Sequence, residues 1–163
     1  MDPAIIKDFR TTVAEAASRF LSMSENQASK PLAAGKWSPK EVIGHLIDSA
    51  SNNHSRFVRG QLPATPLFAK YDQDGWVRAQ RYQDRKWSDL VTLWQVYNEH
   101  LAWIMETADR AMLDREFAAP EMDQLLWKTQ GDGRIPTLRY FMTDYIVHLK
   151  HHLRQVPTPA STA

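Results

Sequence analysis

The sequence predicts an all-α protein, a four-helix bundle, and three observations predict it. Four segments place apolar residues at spacings of three and four, the period of a helix that buries one face. One of those segments opens on a complete start signal, Ser38-Pro39-Lys40-Glu41. No segment shows the sustained apolar–polar alternation of a half-buried strand.

The first helix is expected from about Pro3 to Ser22, with Ile6, Phe9, Val13, Ala17 and Phe20 on one stripe. Asp2 followed by Pro3 is a good beginning. Proline fixes φ and lacks an N–H that the first turn would leave unbonded in any case. Ser24 to Lys36 reads as a connector.

The second helix has the clearest start. In a capping box the Ser38 hydroxyl accepts the Glu41 N–H and the Glu41 carboxylate reaches back to the Ser38 N–H, while Pro39 takes the first helical position. Val42, His45, Leu46, Ser49 and Asn53 form the inward stripe, and the helix should end near Gly60. Residues 61–86, with Pro63, Pro66 and Gly75, form a long connection that holds a short helix around Asp72 to Tyr82.

The third main helix should begin near Ser88, with Leu90, Leu93, Trp94, Tyr97, Leu101 and Ile104 as its apolar face. Residues 109–136 are a second long connection. Phe117 and Leu125-Leu126-Trp127 should pack part of it back on the body as a short hairpin or flap. The fourth helix is expected from Thr137 to before Pro157. Residues 1–156 then make one domain and residues 157–163 a disordered C-terminal tail.

Composition narrows the function. Lys plus Arg is 20 against 19 for Asp plus Glu, and no basic run is interleaved with aromatics, so nucleic acid is not an expected partner. No window offers the ~18 apolar residues that span a bilayer, and no signal peptide opens the chain, so the expectation is a cytoplasmic protein with no membrane partner. The absence of Cys excludes disulfides, Cys-ligated metals and a Cys nucleophile.

The chemistry then falls to histidine. Phe141, Tyr145, His148 and His152 lie on one face at spacings of four, three and four, so two imidazoles extend a core-facing line one turn apart. His45 sits on the buried stripe of the second helix. It lies about six residues inside the start of its helix, and the pair lies about three to seven residues inside the end of theirs. If those helices run antiparallel, the three rings meet at one level near the mouth of the bundle. A hydrogen-bonded core would equally satisfy such rings. His54, nine residues beyond His45, lies roughly 13 Å further along the axis. His100 falls below the level of the three, and His151 points about 100° away from its neighbours; all three read as structural or rim residues. Asp48 and Asp144, one turn deeper than His45 and His148, are placed to accept the second N–H of a metal-bound imidazole, or to serve as ordinary polar residues.

Three stretches resemble the DinB/YfiT-like metalloenzyme superfamily, and within it the metal-dependent hydrolase branch. They are Lys36-Trp37-Ser38-Pro39-Lys40-Glu41-Val42-Ile43-Gly44-His45-Leu46-Ile47-Asp48-Ser49, then Tyr71-Asp72-Gln73-Asp74-Gly75-Trp76, then Tyr145-Ile146-Val147-His148-Leu149-Lys150-His151-His152-Leu153. The resemblance implies a DinB-like bundle of up-down-down-up topology. It also implies Zn²⁺ or Ni²⁺ held by His45, His148 and His152, and a homodimer.

Such a site would leave an open position for water, whose pKa the ion would lower to ~7, giving hydrolase chemistry on a small-molecule substrate. The alternatives are a thiol-dependent S-transferase using a low-molecular-weight bacterial thiol, with the thiol supplied from outside, and a non-catalytic metal- or ligand-binding bundle. A carboxylate or Tyr145 could be the base, but no catalytic residue is assigned. Arg56 and the Asp72/Asp74/Trp76 stretch are candidates for a rim, with helix capping the simpler role for the two aspartates.

Overall fold

The computed structural model describes residues 1–62, 69–117, 125–128 and 135–157. Four long helices, α1 (Pro3–Leu21), α3 (Pro39–Gly60), α5 (Trp87–Thr107) and α7 (Leu138–Leu153), form the body. Three short ones, α2 (Glu25–Ser29), α4 (Gln73–Gln80) and α6 (Arg110–Leu113), decorate the connections, with a 3₁₀ turn at Tyr82–Asp84. Among the described residues there is no strand, only a single antiparallel bridge between Glu116 and Thr137. None of the described helices is long and apolar enough to cross a membrane.

The helix starts follow from local chemistry. Asp2 accepts the Ala4 N–H at 2.8 Å with Pro3 in the first turn. Both halves of the Ser38/Glu41 capping box form, at 3.3 and 2.8 Å. Asp72 caps α4 by accepting the Gly75 N–H at 3.0 Å. Thr137 caps α7. The connector after α1 is more ordered than expected, because Ser24 and Gln27 form a second capping box that opens α2.

The start of α5 shifts to Trp87, and its cap comes from far away in sequence. Glu25 accepts the Trp87 N–H at 2.9 Å and also pairs with the buried ammonium of Lys40. The buried face of α5 is Trp87, Leu90, Val91, Trp94, Asn98, Leu101, Ala102 and Met105. Leu93, expected inside, is 40% exposed. Both 90/94/101 and 93/97/104 are apolar lines on this helix, and the packing of α1 and α3 selects the first.

Contacts along the seams give the direction of each helix. Phe20 meets Trp87 and Trp94 while Arg10 pairs with Glu99 and Glu106, so α1 and α5 are antiparallel. Lys40 donates to the Gln83 carbonyl just ahead of α5 and His54 meets Tyr97, so α3 and α5 are parallel. Phe57 meets Tyr145 while His45 meets His152, so α3 and α7 are antiparallel. Phe9 meets Tyr145 and Arg19 donates to the Leu153 carbonyl, so α1 and α7 are parallel. The order is up, down, down, up. Parallel neighbours α3 and α5 require the chain to return the full length of a helix, and the long connection with α4 does this.

That return packs closely. A Cβ on Gly44 would lie 2.0 Å from the Tyr82 ring, so only glycine lets the crossover lie flat on α3. The covered outer face explains why every residue from Val42 to Ala50 is buried. Phe9, Phe20, Phe57 and Trp94 are fully enclosed, each burial contributing roughly 1.5–3 kcal/mol. Phe117 and Leu126 are buried, so the connection after α5 does fold back, and its ends pair antiparallel through the Glu116–Thr137 bridge. The expected disordered tail lies, apart from Pro157, outside the described residues.

Candidate metal centre

Antiparallel α3 and α7 bring His45, His148 and His152 to one level. One ring nitrogen from each lies within 4.8 Å of the others. Ring centroids are 5.4 Å apart for His45 and His148, 4.8 Å for His45 and His152, and 4.5 Å for His148 and His152. A tetrahedral zinc site with bonds of ~2.1 Å would bring ligand nitrogens to roughly 3.4 Å of each other, a difference that side-chain rotation covers.

Two observations test whether a metal fits. His45 is fully buried, yet neither of its ring nitrogens has a hydrogen-bond partner. A buried polar atom without a partner costs about 1–3 kcal/mol, and a bound cation would remove that cost at one nitrogen. The charge state also suits. Burial first, and the neighbouring imidazole second, push His45 down to about 3. Burial and the three other imidazoles push His148 down to about 3. Burial lowers His152 as well. Neutral rings near pH 7 present lone pairs, which metal ligation needs.

Gln155 is the hydrogen-bonding neighbour of the cluster. Its Oε1 lies 3.3 Å from His152 Nδ1. With the proton on Nδ1, that contact leaves His152 Nε2 as the lone-pair atom. Gln155 Nε2 lies 3.1 Å from His151 Nε2. Trp37 lies against His45, with centroids 5.1 Å apart, and Trp127 covers His148 and His151.

Asp48 and Asp144, expected either to support the imidazoles or to serve as ordinary polar residues, each hold a connection, while Asp48 Oδ2 is buried with no partner among the described residues. Asp48 Oδ1 accepts from the Tyr82 hydroxyl at 2.6 Å and from the Gln80 amide, both on the crossover. Burial raises its carboxyl pKa against the pull of those two donors. Asp144 accepts the N–H groups of Trp127 and Lys128 at 2.8 and 3.0 Å, pinning the second connection to α7. Tyr145, considered as a base, donates its hydroxyl to Asn98 Oδ1 at 2.6 Å, and burial raises its pKa well above the usual phenol value. It stays protonated in the core.

His54 pairs with both His100 and Tyr97 on the α3/α5 seam, away from the cluster. His151 stacks on Trp127 at the rim.

A cavity of about 370 Å³ opens at His148. Its wall includes Ser49, Asn53, Arg56, Lys70 and Asp144. The burial of Arg56 was not anticipated, though a signal existed: His45, Ser49, Asn53 and Arg56 follow one face at spacings of four, four and three.

A family model described as the DinB superfamily matches residues 8–156. The chain belongs to the DinB superfamily. Among curated proteins, it is 23% identical over 134 residues to the "Putative metal-dependent hydrolase YfiT" of Bacillus subtilis, covering 82% of this chain and 70% of that one. A Bacillus licheniformis protein of the same description is 24% identical over 136 residues, with the same coverage. The solved structure of YfiT from Bacillus subtilis, described as an unusual four-helix bundle, superposes with a TM-score of 0.73 at 21% identity, covering 96% of this chain and 86% of that one. That likeness agrees with the four-helix bundle described above.

Proposed function

We propose that this DinB superfamily protein is a metal-dependent hydrolase in which His45, His148 and His152 hold one divalent transition ion, zinc or nickel. The observation that carries the reading is the convergence of three neutral imidazoles around the unpartnered ring nitrogens of His45. The names of its relatives favour hydrolysis over the other chemistries such a site allows.

When bound, the ion would supply Lewis acidity to a water or acyl oxygen in its open position. The chain supplies the rest. Trp37 packs against His45 and Trp127 against His148, shielding those two rings from bulk water. Gln155 orients His152. The cavity beside His148 receives a small-molecule substrate. Asp144 is the only carboxylate among its described lining residues, and with both oxygens held by the N–H groups of Trp127 and Lys128 it fixes the cavity wall. The homodimer implied by the resemblance belongs to the same reading. Val96 and Trp103 on α5, 62% and 58% exposed, are apolar surface that it would cover, and light scattering reads the mass.

The test is turnover of an ester and amide panel by the zinc- or nickel-loaded protein and by the chelator-stripped protein. Metal-dependent hydrolysis is expected. Transfer to an added low-molecular-weight thiol without hydrolysis would replace this reading with an S-transferase, and no turnover in either panel would leave a binding bundle.

A further inference from the structure

We propose that Arg56 is an anion-binding residue at the far side of the cavity that opens at His148, so that the substrate carries a carboxylate or phosphate group seated on its guanidinium. The substrate assignment rests on the hydrolase reading above; the anion site itself does not.

Arg56 is 8% exposed, within the body of α3. Its Nη2 donates to the Ala69 carbonyl at 2.9 Å, and Nη1 makes a long contact of 3.4 Å to Asn53 Oδ1. A guanidinium offers five N–H donors, so most of its capacity is unused. No carboxylate among the described residues pairs with it. An arginine this buried is normally paired, because leaving the charge uncompensated costs several kcal/mol. Pinning one carbonyl would not require the charge; a neutral amide could do it.

The surroundings point to what completes it. Arg56 and Lys70 both line the cavity. The one opposing carboxylate there, Asp144, is already engaged by the N–H groups of Trp127 and Lys128. Two cations therefore line the space, and the one carboxylate among its described lining residues is already committed. The planar fork of arginine matches the two oxygens of a carboxylate or phosphate.

The placement is also right for a substrate. Arg56 follows His45 by three turns on the same face, roughly 16 Å along the axis. Side chains on a helix lean toward its N-terminus, so Arg56 leans toward the imidazoles and shortens the span. A cavity of about 370 Å³ is at the small end of the ~300–1,000 Å³ range of ligand pockets. It fits a small metabolite with its anionic group on Arg56 and its reacting bond near His148.

The experiment is calorimetric titration of inorganic phosphate and of benzoate, at constant ionic strength, into chelator-stripped and zinc-loaded protein. Wild type, Arg56→Gln, Arg56→Lys and His148→Ala are compared, with bound zinc measured for each. The stripped wild type should bind at least one of the two anions. Arg56→Gln should weaken that binding by about tenfold or more while holding as much zinc as wild type. Should Arg56→Gln not fold, Arg56→Lys carries the test, since it keeps the charge but loses the fork, and binding at least about threefold weaker is expected. Response to phosphate alone or benzoate alone identifies the substrate group. His148→Ala should lose zinc yet retain anion binding in the stripped state, which separates failure of the metal reading from failure of this one. The proposal is overturned if the stripped wild type binds neither anion, if the Arg56 variants bind as tightly as wild type, or if binding appears only with zinc present.

Discussion

Acidification of the metal-free protein should destabilise it through the histidine cluster. His45 and His148 are held at about 3 in the folded state by burial, with neighbouring imidazoles adding to the effect. In the unfolded chain each titrates near ~6.5. Between those values the unfolded state binds protons that the folded state refuses, so stability falls as pH drops below ~6.5 and goes on falling until about 3. From pH 7 to pH 5 the loss is about 2 kcal/mol per imidazole, up to about 4 kcal/mol for the pair, at 1.36 kcal/mol per pH unit. His152, lowered too, adds in the same direction. Asp48 and Asp144 oppose it, because burial raises their carboxyls and the folded state gains protons first.

Urea unfolding at pH 7 and pH 5 reads the sum. A loss near 4 kcal/mol would move the midpoint by more than about 1 M, given slopes of ~1–3 kcal/mol/M. The His45→Gln/His148→Gln double variant removes the imidazoles and keeps the aspartates, so its midpoint should move far less. Equal shifts in wild type and double variant would refute the reasoning.

Gly44→Ala should destabilise despite the higher helix propensity of alanine. Its Cβ would lie 2.0 Å from the Tyr82 ring, and overpacking of this kind costs about 1–3 kcal/mol, or about 2–12 °C in Tm. A Tm equal to or above wild type would show that the crossover does not sit on α3 this closely. Glu25→Ala removes the distant cap of α5 and the charge partner of buried Lys40. A loss of about 1–3 kcal/mol in chemical denaturation is expected, and no loss would mean the contact is dispensable.

Much of the fold was legible because it is written in local chemistry. The Ser38/Glu41 box, the Asp2-Pro3 start and the stripes of α1 and α7 each depend on residues within one or two turns. The convergence of His45 with His148 and His152 was legible for a related reason: depth along a helix follows from residue number once the helix ends are known. The failures share the opposite cause. Nothing near Lys86 announces that Glu25 caps α5. Leu93 and Leu90 are equal candidates for the core until α1 and α3 choose between them. That Tyr82 and Gln80 donate to Asp48 Oδ1 depends on a crossover whose path the sequence does not specify. Arg56 lies on the same stripe as His45, and only the assembled cavity shows that a charge there is buried without a counter-charge. The Ser24/Gln27 box is a local signal that the sequence carries within the connector after α1.

The most direct test of the account is metal content per chain, by plasma mass spectrometry, of protein purified without a histidine tag. The account predicts about one zinc or nickel per chain in wild type and in His151→Ala, and close to none in His148→Ala. Wild type without a transition metal, or His148→Ala holding as much as wild type, would contradict it.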